Sequence, residues 1–173
     1  SVDMGALLEE LQDELSNMEA GKSLELTIAS REKISGEYRE LYSAVSNLVL
    51  NAYKYSPEAG KVFADWYKQG TVYRLDIRDE GIGIDSSHFP RLTERFYRVD
   101  DSRSSASGGT GLGLAIVKHV AAAHGAQLKI DSKLGQGSTF SLIFPAQLQE
   151  FEGDKHVEAG RLQAANTNVG NPN

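Results

Sequence analysis

Three sets of residues in this sequence could do chemistry. The first is Gly109-Thr110-Gly111-Leu112-Gly113-Leu114, preceded by a serine- and glycine-rich loop from Asp101 to Gly108 and followed by a helical stretch. Alternate glycines let a backbone approach a bulky anion, and the first turn of a helix offers unpaired N–H groups at its positive end. The stretch reads as a seat for phosphates, or as a flexible loop before a helix. It is not a P-loop, because Leu114 and Ala115 stand where Lys and Ser or Thr would be required. Nor is it a dinucleotide fingerprint, whose glycines are spaced differently and follow a strand.

The second set is Asn47, Asn51 and Lys54, which fall within about 60° of one another on a helix. They read either as a solvated polar face or as an edge for a hard cation and phosphate, since amide oxygens suit Mg²⁺, which keeps waters and phosphate oxygens as its other ligands. The third is Asp79-Glu80-Gly81-Ile82-Gly83. A carboxylate at a strand end, followed by alternate glycines, can accept a hydrogen bond from a purine amine, or can be a turn with a surface Asp. Arg91, Arg95, Arg98 and Arg103 surround the start of the glycine loop and read as surface charge, or as a source of one phosphate clamp.

The elements that position these residues follow from periodicity. Val2 to Glu19 has helical spacing at Leu7, Leu8, Leu11 and Leu15, with Gly21 as the expected cap. Leu24 to Ile28 alternates as a strand, and a short strand is expected around Ile34. Glu37 to Ser56 predicts a helix with Leu41, Val45, Leu48 and Ala52 as its buried stripe, ended by Pro57. Lys61–Lys68 and Thr71–Arg78 predict a hairpin. Ser86 to Tyr97 predicts a short helix, and Gly111 to His124 another. Ala126–Ser132 and Ser138–Pro145 predict a closing hairpin. Apolar periodicity fades from Gln147, so the expected division is a domain over 1–147 and a weakly structured tail over 148–173.

Composition narrows the function. A length of 173 residues suits one domain and a tail. The net charge of −6 argues against a nucleic-acid surface, which needs a basic patch. With no cysteine there is no disulfide, thiolate metal site or cysteine nucleophile. No apolar run approaches a membrane span. The chain opens inside an amphipathic pattern, which gives the expectation of a piece of a longer protein.

The blocks stand in a definite order: Ser46 to Tyr55, Asp79 to Gly83, Glu94-Arg95-Phe96-Tyr97-Arg98, Gly109 to Leu114, and Gly135-Gln136-Gly137-Ser138-Thr139-Phe140. This series resembles the asparagine, phenylalanine and three glycine boxes of the catalytic ATP-binding domain of sensor histidine kinases, a branch of the GHKL group that includes DNA gyrase and the Hsp90 chaperone. The stretch Pro90 to Asp100, with Gly111 to His119, is similar to phosphate-regulon sensor kinases. The resemblance implies an α/β two-layer sandwich, the Bergerat fold: a mixed, mostly antiparallel sheet with helices on one face. It implies ATP and Mg²⁺ as cofactors. Asn51 would ligate the metal, Asn47 would line the same edge, and Lys54 would contact phosphate; these three form the implied catalytic set. Tyr55 would pack by the adenine. Asp79 would accept its amine, with Gly81, Gly83 and Ile84 around it. Phe96 would anchor the start of a lid over Tyr97 to Thr110. Arg98, Gly109, Thr110, Gly111, Leu112, Gly113, Leu114 and Thr139 complete the implied nucleotide contacts.

The same resemblance bears on the reaction. Gyrase-like ATPases place a water-activating glutamate one turn before the metal asparagine, and here that position is Asn47. An amide is no general base. Phosphoryl transfer to an imidazole, which already carries a lone pair, needs only alignment and charge neutralisation. The acceptor itself is not expected in this chain: His88, His119, His124 and His156 are followed by Phe89, Val120, Gly125 and Val157, not by the acidic residue of the family's phosphoacceptor hairpin. That hairpin and a response-regulator receiver domain are the implied partners, and the implied location is the cytoplasmic side of an inner-membrane sensor kinase. A nucleotide-binding module without turnover, a protein-serine kinase of the same architecture and an ATP-driven clamp are the alternatives.

Overall fold

The computed structural model describes residues 1–18, 21–99 and 111–146. The expected tail, and most of the expected lid, lie outside them. Helix α1 spans Met4–Ser16, α2 Tyr38–Tyr55 and α3 Gly113–Ala123; the strands are β1 Ser23–Ile28, β2 Lys61–Gln69, β3 Val72–Asp79, β4 Gln127–Lys133 and β5 Gly137–Pro145. The strands form one sheet in the order β1-β2-β3-β5-β4. Only β1 and β2 run parallel; the other three pairings are antiparallel. This is the mixed, mostly antiparallel sheet expected.

Alternation decides which face the helices cover. Opposed residues across the sheet share a face, so Ala64, Ile77, Phe140 and Ile130 form one row and Trp66, Leu75, Leu142 and Leu128 the next. These rows lie in or against a single core with Leu7, Leu8 and Leu11 of α1, Leu41, Val45 and Leu48 of α2, and Val117 and Val120 of α3. Trp66 is fully buried, stacked on Tyr73 with ring centroids 5.7 Å apart and meeting Phe144 edge-on at 6.0 Å. The opposite face carries polar pairs such as Tyr67–Asp76 and Arg74–Ser141.

The helices are joined by side chains. The Tyr38 and Tyr42 hydroxyls of α2 donate to Glu10 and Glu14 of α1. His124, just past α3, has Nδ1 2.8 Å from the Val120 carbonyl, and its Nε2 accepts the Glu37 N–H at 3.0 Å. With Nδ1 donating and Nε2 accepting, one neutral tautomer serves both contacts. The end of α3 is thereby tied to the start of α2.

Three local expectations are corrected. α1 is capped at Asn17, whose amide nitrogen donates to the Asp13 carbonyl at 3.1 Å; Gly21 comes later, at φ +87°. Ile34 makes an isolated antiparallel bridge with Val2 instead of a strand. The segment from Ser86 is a short 3-10 helix ending at Arg91, because Pro90 inside it has no N–H to extend a ladder. No helix among the described residues is long and apolar enough to cross a membrane.

His124→Ala should destabilise the fold by about 1–2 kcal/mol, as one partly buried and one exposed hydrogen bond are lost. Urea unfolding followed by the fluorescence of Trp66, the sole tryptophan, measures this. An unchanged midpoint would show that the link between the helices contributes nothing.

Candidate functional site

Strand β3 delivers Asp79 to the helix-covered side of the sheet, where it is 3 % exposed. A buried carboxylate needs hydrogen bonds. The Gly81 N–H donates to Asp79 Oδ1 at 2.9 Å, and the Ser138 N–H of β5 also donates to the carboxylate. Burial pushes the Asp79 pKa above the ordinary carboxylate value, and these two N–H groups oppose the rise without cancelling it.

Close backbone packing brings α2 to this carboxylate. A Cβ on Gly81 would sit 2.0 Å from the Tyr55 carbonyl oxygen, so only glycine allows the contact. Asn51 lies one helical turn before Tyr55, and Asn47 one turn earlier still. Asn47, Asn51, Lys54 and Tyr55 are all half-buried, along a flank of α2 beside its buried stripe. The Lys54 ammonium lies 5.5 Å from the centre of the Tyr55 ring. Burial first, and then the nearby Arg98 guanidinium, push the Lys54 pKa below its ordinary value. Positive charge is thus gathered on this edge of the site, where a bound anion would favour the charged form of Lys54.

The opposite wall comes from α3. Its N-cap, Leu112, offers no side-chain hydrogen bond, and no acidic residue occupies its first turn. Those N–H groups keep their capacity for an external anion. The first turn also abuts α2: a Cβ on Gly113 would lie 3.0 Å from Asn47 Oδ1, while Asn47 Nδ2 donates to the Ser43 carbonyl at 2.7 Å. Leu114 packs half-buried on the core. The floor near Asp79 is closed by Ile84, which is buried and whose N–H donates to Ser132 Oγ at 2.8 Å. Gly83 packs against the Lys133 backbone in the β4–β5 turn.

Asp79, its glycines, the α2 edge and the start of α3 are therefore brought together. Gly109 and Thr110 lie outside the described residues. Phe96 differs from expectation: its ring is 72 % exposed, and its backbone, at φ 65°, carries the connection by donating its N–H to the Gly111 carbonyl at 2.9 Å. Nearby, Tyr97 is fixed by His88 Nδ1 at 2.5 Å from its hydroxyl and by Arg91 at 4.4 Å from its ring centre. Thr139 is the second correction. It pairs with Arg78 and Asp131 on the face away from the helices. Ser138, opposite Asp79, faces the site instead; it is buried, with Oγ 2.6 Å from Ser132 Oγ. Counting back by two from the buried Phe140 finds Ser138 in the sequence. Among the described residues, no group of three or more His, Asp or Glu side chains could hold a metal. Asn51, half-buried on α2, carries an amide oxygen of the hard type that suits Mg²⁺.

Residues 36–148 match the family of histidine kinase-, DNA gyrase B- and HSP90-like ATPases. The chain is 48% identical over 154 residues to the phosphate regulon sensor protein PhoR of Pseudomonas aeruginosa, covering 87% of this chain and 35% of that protein. It is 43% identical over 129 residues to the sensor-like histidine kinase SenX3 of Mycobacterium tuberculosis, covering 75% of this chain and 32% of that one. It spans about a third of the length of these relatives. Among solved structures, the mycobacterial sensor histidine kinase MprB superposes with a TM-score of 0.76 at 30% identity, covering 84% of this chain and 97% of that chain. Full-length ShkA in complex with AMPPNP gives 0.72 at 29% identity, over 83% of this chain and 30% of that one.

Two outcomes test the geometry. Only the charged form of a carboxylate is a full acceptor for an adenine amine; if Asp79 takes that part, adenine-nucleotide affinity should be full above its raised pKa and fall as pH drops through it. This acid limb should begin above the usual carboxylate range and vanish in Asp79→Asn, measured as the difference between the two proteins by calorimetry. An identical acid limb in both would remove Asp79 from recognition. Separately, Thr139→Val should leave nucleotide affinity unchanged while Gly81→Ala lowers both affinity and stability; a large loss with Thr139→Val would contradict the assignment of faces.

Proposed function

The chain belongs to the family of histidine kinase-, DNA gyrase B- and HSP90-like ATPases, and on that premise we propose that it is the ATP-binding catalytic domain of a two-component sensor histidine kinase. It transfers the γ-phosphate of ATP–Mg²⁺ to a histidine on a separate phosphoacceptor domain. The observation that carries this reading is the buried Asp79 carboxylate beside the end of α2, with an uncapped helix N-terminus and a cation pair on the adjoining walls.

Each residue's part follows from its chemistry. Asp79 accepts the adenine amine, and the bare Cα of Gly81 leaves the base room beside it. Lys54 and Arg98 supply positive charge toward the phosphates, whose negative charge offsets the repulsion between the two cations. The first-turn N–H groups of α3 and its preceding glycines take phosphate oxygens. Asn51 would hold Mg²⁺ through its amide oxygen, and the metal supplies charge neutralisation at the phosphates. Asn47 carries no basic atom, and its amide nitrogen is already given to Ser43. Water therefore gains no general base here, whereas a neutral imidazole needs none. This favours transfer to histidine over hydrolysis.

The partners of such a domain are its own phosphoacceptor hairpin and a response-regulator receiver domain. Identity to PhoR and SenX3 supports a membrane sensor whose catalytic domain lies in the cytoplasm, and the 48% identity to PhoR supports an assignment to phosphate sensing.

The test is to mix the chain with labelled ATP, Mg²⁺ and a phosphoacceptor hairpin. Acid-labile, base-stable label on the hairpin is expected. Free phosphate alone would point instead to a clamp ATPase, and acid-stable label to a serine kinase. Asn51→Ala should reduce transfer by about 100-fold or more, the scale of losing a group that stabilises transferring charge. Undiminished Mg²⁺-dependent transfer would remove Asn51 from the metal.

A further inference from the structure

A second concave feature lies away from the nucleotide site. It is a groove of about 550 Å³ between α3, the edge strand β4, and the 3-10 helix with the residues just after it. Its apolar wall comes from Phe89, Ala121, Ala122, Leu128 and Ile130, and the charged side chains lining it are Lys118 and Lys129. In a chain of net charge −6 this is a locally positive, apolar-walled surface.

The polypeptide leaves the sheet at one end of this groove. Ile143 of β5 pairs with Gln127, which itself lines the groove, and Pro145 reaches Gly125, two residues before Gln127. Ala146 still packs on the core. The residues that follow are Gln147-Leu148-Gln149-Glu150-Phe151-Glu152-Gly153-Asp154. They combine two large apolar side chains with three carboxylates, the complement of an apolar wall bearing two lysines. At about 3.3 Å per extended residue they span roughly 25 Å. That exceeds the roughly 13 Å of β4 along the groove, Gln127 to Ile130, and leaves chain for the turn around the end of β4.

We propose that residues 147–154 fold back over this groove, with Leu148 and Phe151 covering its apolar wall and Glu150, Glu152 and Asp154 facing Lys118 and Lys129. The groove is then an intramolecular docking surface for the chain's own C-terminal segment. It lies against α3, whose opposite end forms the phosphate side of the nucleotide site, so docking braces that helix. The proposal does not depend on the reaction assigned above.

The absence of native cysteine allows a clean test in the full chain. Ala122→Cys is combined with Gln149→Cys, and for comparison with Val169→Cys, and disulfide formation under mild oxidation is followed by mass spectrometry. The 122/149 pair should close within one chain at least about ten-fold faster than the 122/169 pair; loop length alone accounts for only about two-fold. Lys118→Glu with Lys129→Glu should slow closure, and adding Glu150→Lys with Glu152→Lys should restore it. Equal rates for the two pairs, or closure indifferent to these charges, would overturn the proposal. So would a disulfide formed only between chains, which would make the occupant a second copy.

Discussion

The rest of the structure depends on a single buried charge. A carboxylate with 3 % exposure is tolerated only if backbone donors meet it, and here they come from two directions. Gly81 supplies one from the turn that follows β3, and Ser138 supplies the other from the neighbouring strand. The turn must therefore double back tightly, and the start of β5 must lie in register beside Asp79. The Tyr55 carbonyl must also stop just short of the Gly81 Cα. One electrostatic requirement thus fixes the relative positions of β3, β5 and the C-terminal end of α2.

The two helices then make a cleft that is prepared for an anion. Lys54 is pushed toward its neutral form by burial and by Arg98, and among the described residues the first turn of α3 contains no acid and its N-cap makes no side-chain hydrogen bond. A bound phosphate would favour the charged form of Lys54 and accept hydrogen bonds from the first-turn N–H groups. The cleft keeps its width because the helices are joined at both ends: Asn47 meets Gly113 at one, and His124 meets Glu37 at the other. Preorganisation of this kind lowers the ordering cost on binding.

Much of this was legible in the sequence where a residue type permits one geometry. The buried stripe of α2, the alternation of β2 and β3, and the glycines flanking Asp79 all carried their meaning locally. What escaped was set by context. Nothing in the type of Asn17 marks it as a better helix end than Gly21; its side chain finds a carbonyl within its own last turn. The helix expected from Ser86 to Tyr97 is a 3-10 helix that ends at Arg91, with Pro90 inside it. The family motif implies Thr139, although strand alternation from Phe140 places Ser138 inward instead. Phe96 is expected to anchor the start of the lid, and the contact it makes there is a backbone one, its N–H to the Gly111 carbonyl. Sequence motifs mark which residues matter more reliably than which atoms of them do.

The central claim is that the Asp79 carboxylate reads the exocyclic amine of adenine, and a double cycle addresses it directly. Calorimetry would compare ATP with the purine riboside triphosphate lacking that amine, in the unaltered chain and in Asp79→Asn. Loss of a hydrogen bond to a charged group is worth about 1.5–3 kcal/mol, or roughly 10–150-fold in affinity. The account expects a loss of that size in the unaltered chain and almost none in the variant. Equal losses in both proteins would mean that the amine is read elsewhere, and the site as described would not be the purine pocket.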